Sequence, residues 1–223
     1  VTRQAQMTLP KRTPALLLDL DGTLIDSLPG IEGSIREAVA AVLPGRSLPP
    51  VRDLLGPPIR DIFRGLIGPQ PLDVEESLVL AFRTFYDREG CFCFELYPGV
   101  RETLAEIQRR KIPAFIVTNK PKIPTGKILA TAGLTDLLTG VYCRDSRNPA
   151  FVSKSEMAVD LMERFSVDPA SSCFVGDSQD DAEAAAACGM PFCPVSYGFG
   201  DAHRRGGHSV LNGFADLLDR FPL

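Results

Sequence analysis

The chain has 223 residues, 44% of them hydrophobic and 23% charged, with a formal net charge of -4. It is long enough to bury a full core, and this composition excludes a disordered or fibrous chain. The negative balance argues against nucleic acid or anionic membrane as a partner, since both select basic surfaces, so the positive charge needed for an anionic substrate must be local.

Residues 1–13 have no hydrophobic signal core and read as an N-terminal tail, without secretion. No apolar run approaches the length of a bilayer span. Cys91, Cys93, Cys143, Cys173, Cys188 and Cys193 lack paired metal-site spacing. Cys173 falls in an apolar strand and Cys188 in an Ala-rich helix, where buried thiols are expected and point to a cytoplasmic location. With His203 and His208 as the two histidines, a histidine-based triad is not expected.

The first structural stretch is "ALLLDLDGTLIDS", a strand over Ala15–Leu20 that runs into acids. Side chains two apart on a strand point the same way, so Asp19 and Asp21 project together, and Gly22 lets the backbone turn behind them. Paired carboxylates are costly to bury without a cation, and magnesium suits such oxygen ligands. An Asp-Gly turn is the alternative. Asp26 reads as a helix-start residue.

From Leu28 to about Glu95 no buried strand is expected. Leu28, Ile31, Ile35, Val39 and Val42 trace one helical face; Val74, Leu78, Phe82 and Phe85 trace another. This is an all-helical insertion of roughly 65 residues, where a strand-to-helix connection normally needs only a few. It follows the carboxyl end of a sheet strand, where open α/β sheets bind ligands, and is placed to act as a lid. Within it "GPPIR" presents Arg60 on a stiff loop, as an anion contact or as surface decoration.

Beyond the insertion, strands are expected at Pro113–Val117, Leu138–Cys143, Ser172–Val175 and Phe192–Val195. Helical spacing links Val100, Leu104 and Ile107, then Met157, Leu161 and Phe165. The alternation predicts an α/β fold around a parallel, Rossmann-like sheet. Thr118 and Asn119 close a strand in "FIVTNKP" and suit a phosphate oxygen, although Asn119 serves equally as a turn residue, and Lys120 is a further candidate contact. In "FVSKSEM", Ser153 and Glu156 suggest a capping box that puts Lys154 in the first helical turn, against the helix dipole. Lys154 is either a tolerated surface cation or one aimed inward at an anion. In "FVGDSQDD", Ser178 and Asp181 suggest a second capping box, which leaves Asp177 at a strand end without a structural reason.

These four stretches resemble, in order, the motifs of the haloacid-dehalogenase superfamily, and the insertion resembles the cap of its phosphoglycolate-phosphatase-like branch. The resemblance implies core segments 14–27 and 96–223, with a helical cap at 28–95. It implies a magnesium-dependent phosphomonoesterase acting on a small phosphorylated metabolite, as a monomer or homodimer, without nucleic acid or membrane. Asp19 would be the nucleophile and Asp21 the acid/base. Asp19, Asp21 (through its carbonyl), Asp177 and Asp181 would serve the metal. Thr118, Asn119, Lys154 and Gly22 would serve the phosphoryl group, and Arg60 and Lys120 the rest of the substrate. Lys154 is followed by Ser155 where many relatives have Pro, as in a nucleotidase-like subgroup. A 5'-nucleotidase-type phosphatase, a phosphosugar mutase and a non-catalytic binding module are the alternatives.

Overall fold

A computed structural model describes residues 13–51, 58–204 and 209–220. Tail residues 1–12, Gly56 and Pro57 of the proline loop, and His208 lie outside the described residues. The chain begins β1 (Leu16–Leu18), β2 (Ile25–Asp26), α1 (Leu28–Val42), α2 (Ile59–Ile67), α3 (Leu72–Arg88) and β3 (Glu95–Leu96). It continues α4 (Val100–Arg109), β4 (Ala114–Thr118), α5 (Lys122–Ala132), β5 (Gly140–Cys143) and α6 (Lys154–Phe165). It closes β6 (Cys173–Gly176), α7 (Gln179–Cys188), β7 (Phe192–Pro194) and α8 (Leu217–Arg220).

Five strands form one parallel sheet in the order β5-β4-β1-β6-β7, as the alternating pattern predicted. The chain adds β4 and β5 on one side of β1 and then crosses to add β6 and β7 on the other. Residues alternate between the faces. Leu16 and Leu18, Ala114 and Ile116, and Cys173 and Val175 pack with Leu104 of α4 and Ile128 of α5. Leu17, Phe115, Val117 and Phe174 pack oppositely, with Met157 and Leu161 of α6 and Ala184 of α7. Burial on both faces explains the unbroken apolar runs. Each fully buried Leu or Phe contributes about 1.5–3 kcal/mol.

The strands are shorter than expected. β1 ends at Leu18 because the Leu20 carbonyl accepts the N–H groups of Thr23, Leu24 and Ile25, closing a tight turn. A short 3-10 turn over Thr135–Leu137 delays β5 to Gly140. The segment after β1 is helical, and α1 to α3 enclose their own cluster, with Ile35, Val39, Phe63, Leu66 and Leu78. Where it leaves and rejoins the core, β2 and β3 pair antiparallel, Ile25 with Leu96 and Asp26 with Glu95, a ribbon too short for the sequence to signal. The expected stripe on α3 holds through Val74, Leu78 and Phe82, which pack in the α1 to α3 cluster, while Phe85 is only partly buried and Glu75 and Tyr86, off the stripe, are buried. Phe165 of α6 is likewise partly exposed, against the rim of Phe115. Among the described residues no helix is long and apolar enough to cross a membrane.

Candidate active site

Parallel pairing brings the acidic strand ends together. Leu18 of β1 stands opposite Val175 of β6, and Asp19 N–H donates to the Val175 carbonyl at 2.9 Å. Asp19 and Asp177 therefore leave neighbouring strands side by side. Asp181 joins them from the first turn of α7, and the three carboxylates offer oxygens within 4.8 Å of one another, all buried.

Asp181 performs two jobs. Its Oδ2 accepts from Ser178 Oγ at 2.6 Å and from Ser178 N at 3.0 Å, completing the expected capping box. Its Oδ1 accepts from Lys154 Nζ at 2.6 Å. Lys154 also donates to Asp19 Oδ1 at 2.7 Å, so the inward reading of this lysine holds. It sits at the first residue of α6, where Ser153 Oγ accepts from Glu156 N. The second half of that expected box is absent: the Glu156 carboxylate accepts from Val152 N at 2.7 Å instead.

The electrostatics follow from burial. Burial drives Asp19 well above the ordinary carboxylate range; Lys154 opposes this, while Asp181 and Asp177 add to it. Asp177 is pushed up to about 6, by burial first and by Asp181 second. Burial works against the charge on Lys154, but Asp181 and Asp19 more than offset it and raise its pKa. Three carboxylates share one ammonium here, so ionisation of all three leaves two negative charges uncompensated. An all-oxygen donor set with that excess fits a hard divalent cation.

Asp177 is fixed from above by the loop after β7. Its Oδ2 accepts from Phe199 N at 2.6 Å and Gly200 N at 2.9 Å. Gly22 passes directly beneath, with φ +82° and a Cβ position only 2.2 Å from Asp177 Oδ2. Gly22 thus makes room for Asp177, a reason more specific than the turn read from sequence. The Phe199–Gly200 support was missed, and its only trace was glycine density in "SYGFG".

Asp21 joins a separate network. Both its oxygens accept from Lys120 Nζ, at 2.7 and 2.8 Å, and Oδ1 also accepts from Ser27 Oγ at 2.5 Å. Thr118 is buried, and its Oγ1 accepts from Lys120 N at 3.2 Å, which leaves its own O–H to donate. Asn119 Nδ2 donates to Asp180 Oδ2 at 3.0 Å. Asp26 caps the start of α1, accepting from Leu28 N at 3.0 Å. Arg60 is not brought to this cluster by any hydrogen bond among the described residues. Its guanidinium bonds Glu75 at 3.0 Å, and Glu75 also takes two bonds from Arg64. An opening of about 220 Å³ lies beside Asn119 and Lys154, and Arg144 lines it. Arg144 follows β5 as the acids follow their strands, a position that could have flagged it.

The haloacid dehalogenase-like hydrolase model matches residues 13–189. The chain belongs to that family. Curated relatives of 30% identity or more carry the name phosphoglycolate phosphatase. A phosphoglycolate phosphatase of Vibrio vulnificus is 31% identical over 219 residues, covering 92% of this chain and 94% of the relative. A plasmid phosphoglycolate phosphatase of Cupriavidus necator is 30% identical, covering 98% of this chain and 94% of its own. Among solved structures, a haloacid dehalogenase-like family protein of Streptococcus pneumoniae superposes with a TM-score of 0.82 at 21% identity, over 94% of this chain and 98% of that one.

Proposed function

We propose that this family member hydrolyses small-molecule phosphomonoesters with magnesium, through an aspartyl-phosphate on Asp19. One observation carries the reading: buried Asp19 is held by Lys154 at 2.7 Å, while a second acid two residues on, Asp21, is bound into a different network. The two carboxylates thus have separate surroundings for separate jobs.

Magnesium would be held by Asp19 and Asp177, with Asp181 in support and the backbone carbonyl of Asp21. When bound, it offsets the charge of the phosphoryl group and favours ionised Asp19. A carboxylate oxygen of Asp19 attacks phosphorus, and the bond from phosphorus to the ester oxygen breaks with its electron pair on that oxygen. Asp21 supplies the proton the leaving oxygen needs, then takes one from the water that hydrolyses the acyl phosphate. Lys154, the Thr118 O–H and the second N–H of Asn119 Nδ2 bind the phosphoryl oxygens.

Residues 28–95 form a cap over this site in the same reading, supported by their own apolar cluster and by the β2–β3 ribbon at their base. Phosphoglycolate is the first candidate substrate, on the names of the relatives above. A cytoplasmic setting is supported by thiols packed in the core at Cys173, Cys188 and Cys193. The test is phosphate release from phosphoglycolate, nucleoside monophosphates and sugar phosphates, by wild type and Asp19→Asn. Asp19→Asn is expected to lose about 10⁴-fold or more, the scale of removing a covalent nucleophile. Undiminished activity would refute the nucleophile, and isomerised sugar phosphate in place of free phosphate would make the chain a mutase.

A further inference from the structure

Lys120 has the geometry of a residue that works on Asp21 and not on a substrate. Its ammonium is buried and bonds both Asp21 oxygens, at 2.7 and 2.8 Å, across 99 positions of sequence. On its other side it sits 4.8 Å from the centre of the Tyr86 ring, near the end of α3. Tyr86 is itself fixed, 4% exposed and stacked on Phe82 at 5.3 Å. Just beyond it, the Asp87 carbonyl accepts a second core lysine, Lys127 of α5. The end of α3 therefore docks on the corner of the core that holds Asp21.

A carboxylate has about four lone-pair positions, two on each oxygen. Asp21 Oδ1 has two donors, Ser27 Oγ at 2.5 Å and Lys120 Nζ at 2.7 Å, so both of its positions are filled. Oδ2 accepts from Lys120 alone among the described residues. One lone pair is left on Oδ2, and this is the oxygen that has room for a proton.

We infer that Lys120 is a positioning residue that aims Oδ2 of Asp21 at the leaving oxygen, and that Tyr86 of the helical insertion holds Lys120 in that role. The inference rests on the phosphatase reading. In the step it serves, the pair from the broken P–O bond stays on the ester oxygen and the proton passes to it from Asp21 Oδ2. Asp21 is left as a carboxylate, and the Lys120 ammonium already beside it balances the charge.

The test uses two esters. p-Nitrophenyl phosphate releases a phenolate that needs no proton; an alkyl ester such as phosphoglycolate releases an alkoxide that does. In Lys120→Met, kcat/KM for the alkyl ester is expected to fall about 10²-fold, the range of a lost general acid, with little change for the nitrophenyl ester. kcat/KM covers the steps through departure of the leaving group, and not the later hydrolysis of the acyl phosphate that both esters share. Tyr86→Leu is expected to shift the ratio between the esters in the same direction, and Tyr86→Phe, which keeps the ring under Lys120 but loses the phenol oxygen beside it, to shift it less. This pair keeps the test open if Lys120→Met does not fold. Equal loss of kcat/KM on both esters, or no loss on either, overturns the assignment of Lys120. A wild-type ratio in Tyr86→Leu overturns the link to α3. Absence of turnover in the wild type overturns the phosphatase reading, and the inference with it.

Discussion

Lys154 Nζ lies 2.7 Å from Asp19 Oδ1, although 135 positions separate the two residues in sequence. The same ammonium bonds Asp181 at 2.6 Å, so one cation spans a carboxylate beyond the end of β1 and one in the first turn of α7. Removing the charge leaves two buried carboxylates facing each other, and breaking a buried pair costs about 3–5 kcal/mol. Lys154→Met should therefore lose stability on that scale in urea denaturation. Where it stays folded, phosphatase turnover should fall by about 10²–10³-fold, as when one donor to a developing charge is removed. Wild-type turnover in a folded variant would show that the lysine only balances charge.

The metal expectation is tested apart from turnover. Asp177 Oδ2 is taken by two backbone N–H groups, so Oδ1 is the oxygen available to a cation. Titration calorimetry with magnesium should give binding to the wild type, and much weaker binding to Asp177→Asn, which keeps the shape and loses the charge. EDTA should abolish turnover and added magnesium restore it. Equal heats from the two proteins would remove Asp177 from the metal site.

Most of the site was legible because its logic is local. Asp19 and Asp177 are acids at the ends of apolar strands, and Lys154 stands against a helix dipole, so each violates a rule that its own neighbours reveal. What was not legible depends on partners far along the chain. Nothing near Lys120 announces that it meets Asp21 and Tyr86. Arg60 read as either an anion contact or surface decoration because its partner Glu75 sits on another helix, where an apolar stripe hid a buried acid. The β2–β3 ribbon offers too few residues for any period to show. The fold was read through its apolar runs, while the strand ends moved wherever turn hydrogen bonds, such as those to the Leu20 carbonyl, competed with the sheet.

Gly22 should resist even the smallest substitution. Its φ of +82° disfavours a side chain by about 1–2 kcal/mol. A Cβ would also stand 2.2 Å from Asp177 Oδ2, far inside contact distance. Gly22→Ala is thus expected to lose more stability than the backbone cost alone, measured by denaturant midpoint, and to weaken magnesium binding by displacing Asp177. Normal metal affinity in a destabilised Gly22→Ala would mean that Asp177 is held by Phe199 and Gly200 without help from below.

Glu75 carries the pH dependence of the helical segment. Arg64 bonds lower its pKa from 4.5 to about 2, ahead of burial, which works the other way, and of the bond from Arg60. A carboxyl group whose folded pKa is depressed stabilises the fold above its unfolded pKa, and that stability disappears as the pH falls through the folded value. The Glu75 contribution should be complete above about pH 4.5 and lost on descending toward about pH 2. Glu106 and Glu156 are also depressed, so acid melting of the wild type alone cannot isolate Glu75. The difference between wild type and Glu75→Gln can. The Tm gap between them should be widest near neutral pH and narrow steadily below pH 4.5, because Gln has no charge to lose. A gap that stays constant down to pH 3, within about one unit of the folded value, would mean that Glu75 stabilises α2 and α3 by packing and neutral hydrogen bonds, and not by its pairing with Arg60 and Arg64.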